Sequence, residues 1–248
     1  MADARPAGEE TSQLLLALWS APRSRSTAFE RMVMERGDFR VVHEPFSHVA
    51  DFGTADVDGT TVRGEAELIA ALRALPGRSF FKDTTDFHYP GLLADATFLR
   101  EAVHTFIIRE PAEVIASHKA LNSELTRDEI GIARLYEIYA AVEAATGKEP
   151  VVVDSDDLID RPEATVKAYC ERIGIGFQPE ALQWNSGMPS QWQRTERWHR
   201  DAGNSSGFER RPDAGDSIDV LNDPELSEFY RYHLPYYNKL RERRLQVS

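Results

Sequence analysis

The sequence predicts an α/β fold, a parallel β-sheet flanked by helices. Five apolar, β-rich runs at residues 14–19, 39–43, 79–82, 104–108 and 150–153 alternate with stretches of helical periodicity at 26–36, 65–75, 112–121, 128–146 and 162–173. The apolar residues in those runs are continuous rather than alternating. That pattern belongs to strands covered on both faces, as in parallel sheets with helical crossovers. In open sheets of this kind ligands bind beyond the C-terminal ends of the strands.

The first run ends in the most informative stretch of the chain, LLLALWSAPRSRSTAF over residues 14–29. A strand gives way to a turn crowded with hydroxyls and arginines, and a helix starts at once behind it. The first N–H groups of a helix are unpaired and carry partial positive charge, so a strand–turn–helix is a ready anion site. Ser24, Ser26 and Thr27 add hydroxyl donors, and Arg23 and Arg25 add cationic forks. Neither Gly nor Lys occurs between Leu14 and Phe29, so this is not the nucleoside-triphosphate loop G-x-x-x-x-G-K-[ST]. The plain alternative is a serine-rich turn that caps a helix.

The following elements are read in order. The 39–43 strand runs into His43-Glu44-Pro45. Residues 51–64, rich in Gly, Asp and Thr, form an excursion before the 65–75 helix. The 79–82 strand closes on Lys82-Asp83. The 104–108 strand leads to Arg109-Glu110-Pro111 and a helix, with Pro111 in its first turn. Arg109 lies at that strand end, and Ser117 sits about two turns into the helix, where it can reach the same side. The plain reading of Arg109 is a surface pair with Glu110 or Glu113. The β-branched run at 150–153, Pro162 and Gly174 punctuate a strand, a helix start and a helix end; Asp154, Asp156 and Asp157 read as solvated turn residues. Residues 183–217, with Trp184, Trp192 and Trp198, read as a long functional loop, and 223–244 as a closing helix interrupted near Pro235.

The two segments together resemble the cofactor signatures of sulfotransferases that use 3′-phosphoadenosine 5′-phosphosulfate (PAPS). In that family a loop P-[KR]-S-G-T-[ST] grips the 5′-phosphosulfate, and a strand-end Arg with a Ser eight residues later grips the 3′-phosphate. Pro22-Arg23-Ser24-Arg25-Ser26-Thr27 matches the first, and Arg109 with Ser117 matches the second in order and spacing. The likeness spans roughly residues 14–210 and implies the P-loop NTPase-like sulfotransferase fold. One departure is Arg25 where the family usually has Gly, a residue that tolerates unusual dihedrals. Either the loop keeps ordinary dihedrals with Arg25 pointing outward, or Arg25 itself contacts the anion.

The resemblance also implies roles. Arg23 stabilises the sulfuryl oxygens and the leaving phosphate, and the backbone amides of Ser24 to Thr27 hold the 5′-phosphate. An acidic residue before Pro, here Glu44, is the base in several bacterial members, whereas other branches use a His, and His43 is adjacent. Neighbouring strand residues face opposite sides, so one of the two should point into the site while extended geometry lasts. Relatives also carry a lysine at the place of Lys82, where it could contact the transferring sulfuryl group; a solvated Lys closing a strand is the plain alternative. Residues 198–208 resemble the loop covering the adenosine and 3′-phosphate, with Ser205, Ser206 and Gly207 as donors and Arg210 or Arg211 as a further fork. A tryptophan there could stack on adenine or sit in the core. His88 and the aromatics Phe46, Phe52, Phe87, Tyr89, Tyr136 and Tyr139 could line an acceptor pocket or belong elsewhere.

At 248 residues the chain fits one domain over 14–248 behind a polar leader at 1–13 that reads as disordered. Such a length buries about 70% of the unfolded surface, enough for its own core. The net charge of −12 argues against nucleic acid or an anionic membrane as partner. The lone Cys170, in a helical pattern, reads as a small buried residue and points to a reducing, cytoplasmic setting. No apolar run near the N-terminus is long enough for a membrane span or secretory segment. The expected activity is transfer of a sulfuryl group from PAPS to a hydroxyl of a small molecule, leaving adenosine 3′,5′-bisphosphate (PAP), without a metal. The alternatives are a small-molecule kinase on a related scaffold and a non-catalytic nucleotide-binding protein. The oligomeric state and the acceptor are not written in the sequence.

Overall fold

The structure, a computed structural model, describes residues 13–210 and 215–247. The expected leader, apart from Gln13, and Arg211 lie outside the described residues. The chain runs β1 (Leu14–Ser20), α1 (Ser26–Arg36), β2 (Arg40–His43), α2 (Pro45–Phe52), β3 (Ala55–Val57), β4 (Thr60–Val62), α3 (Gly64–Ala74), β5 (Arg78–Thr84), α4 (Pro90–Ala94), α5 (Ala96–Glu101) and β6 (Val103–Ile108). It continues α6 (Pro111–Lys119), α7 (Ile132–Thr146), β7 (Val151–Asp154), α8 (Ser155–Asp160), α9 (Pro162–Ile173), α10 (Glu196–Gly203) and α11 (Pro224–Arg241).

Five strands form a parallel sheet in the order β2-β5-β1-β6-β7. The chain begins in the middle, builds β2 and β5 to one side and then crosses to β6 and β7. This reversal places the turn after β1 at the switch point of the sheet, where crossovers diverge and leave a crevice. Register aligns the rim: His43 and Leu18 both pair with Lys82, Trp19 with Asp83, Ser20 with Ile107, and Ile108 with Asp154. All five strand ends therefore open onto one edge.

Both faces of the sheet are apolar, which explains the continuous runs. On β1, Leu16 and Leu18 join one core cluster with Phe29, Phe80, Ile107 and Val153, while Ala17 and Trp19 join the other with Phe46, Phe81 and Phe106. Leu18 is fully buried, and truncating such a residue to Ala costs about 2–5 kcal/mol. Trp19 satisfies its indole N–H by donating to His104 Nδ1 at 2.9 Å.

Several elements differ from expectation. The 51–64 excursion is an antiparallel hairpin of β3 and β4. The 128–146 helix is split at Gly131, φ 78°, into a 3₁₀ turn (Asp128–Ile130) and α7. A Cβ at Gly131 would lie 2.7 Å from the Thr85 carbonyl, so the close approach of two backbones sets this break. Residues 154–157 are not merely solvated: Asp154 is 8% exposed and caps α8 by accepting from the Asp156 amide. The 183–217 segment contains a 3₁₀ turn (Ser190–Thr195) and α10. α11 is not interrupted near Pro235 but continues through it. His233, Tyr237 and Leu240 on that helix are buried as it packs on α6 and α7, and this packing outweighs the one helical hydrogen bond a proline removes. Among the described residues no helix is long and apolar enough to cross a membrane.

Candidate active site

The turn between β1 and α1 holds two non-glycine residues in the left-handed region, Arg23 at φ 64° and Arg25 at φ 66°. That conformation costs about 1–2 kcal/mol for an L-residue. The dihedrals at Arg25 are thus glycine-like rather than ordinary. Its side chain leaves the loop toward acids on two helices, reaching Asp156 at 3.0 Å and Glu113 at 3.5 Å. The Arg25 carbonyl accepts the first helical bonds, from Ala28 and Phe29, so the amides of Ser26 and Thr27 precede the ladder.

Arg109 reaches across from the end of β6 and donates from Nη1 to the Arg23 carbonyl at 2.9 Å and from Nε to Glu113 at 2.8 Å. Arg23 donates three times: to Ser117 Oγ at 2.9 Å, to the Trp198 carbonyl at 2.8 Å and to Asp201 at 2.7 Å. Arg23, Arg109 and Ser117, drawn from β1 and α6 segments far apart in sequence, therefore meet in one cleft. A cavity of about 490 Å³ opens there, lined by residues 22–28, Glu44, Lys82, Arg109, His199, Ser205 and Gly207 among others. A second, of about 430 Å³, adjoins it at Arg25 and Arg109 and also takes in Ser117 and Arg210. Four buried polar atoms among the residues lining the first cavity have no hydrogen-bond partner: Ser24 Oγ, His48 Nε2, Asp86 Oδ1 and His118 Nδ1. Buried polar atoms are rarely left unpaired, and these four lie within the cavity wall rather than on its open surface.

On the β2–β5 side the cavity ends on a buried charged cluster. Pro45 starts α2 and Glu44 turns into the left-handed region at φ 43°, so extended geometry stops there. His43 and Glu44 consequently do not diverge: His43 Nε2 lies 3.5 Å from Glu44 Oε2. Lys82, 2% exposed at its side chain, donates to Glu44 Oε1. Burial raises the Glu44 pKa, but Lys82, His43 and His199 outweigh it and hold the carboxyl well below the usual range. His43 Nδ1 meets both oxygens of Glu30 at 2.8 and 3.0 Å. Burial pulls the imidazole down, yet Glu30 and Glu44 together leave its pKa above the ordinary value. His199, on α10, places Nε2 3.2 Å from His43 Nε2 and Nδ1 3.2 Å from Thr27 Oγ1; burial drops its pKa to about 3.

His43 Nε2, His199 Nε2 and Glu44 Oε2 lie within 4.8 Å of one another, close enough to converge on a cation. Each atom already has a protein neighbour, and the Lys82 ammonium shares the same carboxylate, so we assign no metal to the cluster.

The expected residues do not all converge. Ser205 and Gly207 line the first cavity, whereas Ser206 is exposed and bonds Glu209. Arg210 pairs with Asp156 and Asp160 beside the second cavity. Phe52 and Phe87 line the first cavity; Phe46, Tyr89 and Tyr139 belong to the core, with Tyr136 packed against it. His88 is exposed near Glu137. Trp192 is core, Trp184 donates to Ser205, and Trp198 lines the cavity with its ring edge-on to His118. Glu30, His48, Asp86, His118 and His199 were not anticipated in the site. Glu30 carried one signal, a carboxylate one turn beyond Ser26 on the apolar side of α1, next to Phe29 and Val33.

A parallel sheet with a hydroxyl- and arginine-rich turn at its switch point defines an α/β protein with a polar, cationic cleft at its strand ends. The more particular assignment comes from comparison: the family model described as a sulfotransferase domain matches residues 14–244, and the chain belongs to that family. The chain is 26% identical over 236 residues to branched-chain-amino-acid aminotransferase-like protein 2 of Arabidopsis thaliana and 27% identical over 204 residues to protein 1 of that name, covering 90% and 77% of this chain. It spans only 40% and 36% of the length of those relatives. Similar solved structures include the sulfotransferase domain from the curacin biosynthetic pathway, 14% identical with a TM-score of 0.46 over 95% of this chain and 93% of that one. Mouse sulfotransferase SULT7A1 complexed with PAP is 10% identical, TM-score 0.48, over 92% and 87%.

Proposed function

We propose that this protein transfers a sulfuryl group from PAPS to a hydroxyl of a small-molecule acceptor. The observation that carries the reading is the meeting of Arg23, Arg109 and Ser117 at the mouth of the turn, beside the partnerless hydroxyl of Ser24. PAPS supplies the activated sulfuryl group and a phosphate leaving group. The amides of Ser26 and Thr27, which precede the helical ladder, fit the 5′-phosphate. Arg109 and Ser117 reach the second cavity with Arg25 and Arg210, and this chamber suits the 3′-phosphate. Ser205 and Gly207 flank the span between.

Arg23 stabilises charge on the transferring oxygens after exchanging Asp201 for the ligand. Lys82 lines the same cavity and is fixed there by Glu44. Glu44 lines the cavity and receives the acceptor proton, whereas His43 stands behind it with its side chain 1% exposed. In-line displacement then needs positioning, charge compensation and removal of one proton, all of which these residues offer.

A kinase would need a loop lysine at the first turn, and Arg23 and Arg25 stand there instead. The test is ligand-dependent stability and turnover. PAP at a hundredfold excess over its Kd should stabilise the protein by about 2.7 kcal/mol, and magnesium–ATP should not. PAPS with a panel of alcohols, phenols and sugars should release PAP. Stabilisation by magnesium–ATP alone would reverse the choice between donors, and PAP binding without any release would leave a binding protein.

A further inference from the structure

Behind Glu44 lies a pair that sulfuryl chemistry at the cavity wall does not itself require. Glu30 is fully buried on α1, and the groups that meet its carboxylate are the His43 imidazole and the Trp192 indole, which donates to Oε2 at 3.1 Å. A carboxylate only accepts, so His43 carries its proton on Nδ1 and presents a bare Nε2. That lone pair faces His199 Nε2 at 3.2 Å; with the His199 proton on Nδ1 toward the Thr27 hydroxyl, this nitrogen, which also meets the Thr195 hydroxyl at 3.0 Å, can accept from His43 once His43 Nε2 is protonated. Glu44 Oε2 stands 3.5 Å away on the same side. The groups that act on His43 are thus Glu30 from α1, Glu44 from the start of α2, His48 from α2, Lys82 from β5 and His199 from α10.

We propose that His43 and Glu30 form a proton store behind Glu44, with Glu30 the positioning residue that fixes the tautomer of His43. This deepens the sulfotransfer reading and rests on it for the source of the proton. The acceptor O–H bond breaks as its oxygen bonds to sulfur, and the proton goes to Glu44 Oε2. It passes from there to His43 Nε2, and Glu44 returns to its carboxylate paired with Lys82. The resulting imidazolium lies between two carboxylates, Glu30 and Glu44, in a site shut off from water. A Glu44 held far below the usual carboxylate range is a poor final resting place for the proton; His43, raised above its ordinary value, is a better one. The Glu30–His43 contact is 13 residues apart in sequence and set by two rigid elements, so the orientation is preformed.

The experiment follows the imidazole nitrogens by NMR of full-length protein, with pH–rate profiles beside it. In the wild type His43 should show the Nδ1–H tautomer and titrate above 6.5. Glu30→Gln, nearly the same shape, should lower that titration, move the acid limb of kcat to lower pH and cut kcat about tenfold to a hundredfold, with PAP affinity retained. A His43 that titrates at or below 6.5 in the wild type overturns the proposal. So does an acid limb unmoved in Glu30→Gln, which would make Glu30 purely structural. The imidazole measurement needs no turnover, so absence of sulfotransfer would sink the activity and leave the store decided on its own.

Discussion

The two ends of the principal cavity hold their charges in opposite ways. At the turn after β1, guanidinium groups are paired with acids that water can reach: Asp201, bound to Arg23, is 78% exposed at its side chain, and Asp156 and Glu113, bound to Arg25, are 40% and 39%. At the end of β2 the partners are internal, with Lys82 at 2%, Glu44 at 9%, His43 at 1% and Glu30 at 0%. Exposed pairs contribute little and exchange readily, whereas breaking a buried pair is costly. The difference teaches that the anion end is arranged to swap partners and the proton end to keep them.

Three substitutions would break this contrast. Arg23→Ala should abolish turnover, a fall of about 10²–10³ in kcat or more, because no other guanidinium replaces its three donors. Turnover assays with saturating PAPS measure it, and a fall confined to KM would mean that Arg23 only binds. Lys82→Met leaves the Glu44 carboxylate buried and unpaired, so urea unfolding should show a loss of about 3–5 kcal/mol, much of it recovered in Lys82→Met/Glu44→Gln. An unaltered midpoint would place Lys82 among the exchangeable charges. Arg109→Ala should mainly weaken PAP binding, by about tenfold to a hundredfold in calorimetry, since a charge-assisted hydrogen bond is worth about 1.5–3 kcal/mol. Normal PAP affinity would remove Arg109 from the grip.

The two ends were also unequally legible in the sequence. The anion end is written locally: the hydroxyls, arginines and helix start are contiguous at 22–27, and Ser117 follows Arg109 on one helix. The five sheet strands and the limits of α1, α3, α6 and α9 followed from continuous apolar stretches and from Pro and Gly punctuation, whereas the short helices α2, α4, α5 and α8 carried no such signal. The proton end is written across the chain. His199 meets His43 over 156 residues, and although hydrophobic periodicity puts Glu30 on the buried face of α1, it does not show what pairs with its charge. A buried carboxylate is recognisable only through its partner, and Trp192 and His199 come from the 183–217 stretch, which carries no period to place them. Even Glu44 misled on this point, because the left-handed turn before Pro45 rotates it back beside His43.

The finest discriminator between exchangeable and fixed charges is Asp201. Its carboxylate sits 2.7 Å from Arg23 Nη2, and α10 also offers Arg23 the Trp198 carbonyl, so an incoming phosphosulfate competes with this helix for one guanidinium. Asp201→Asn removes the competing charge and keeps the shape. PAPS and PAP should then bind about two- to fivefold more tightly at low salt, the size expected of a solvent-exposed pair, with the gain fading as ionic strength rises. The unfolding midpoint without ligand should hardly move, because so exposed a pair adds little to stability. Weaker binding in Asp201→Asn would instead mean that α10 holds Arg23 in the pose the ligand needs, and the anion end would then be as fixed as the cluster behind Glu44.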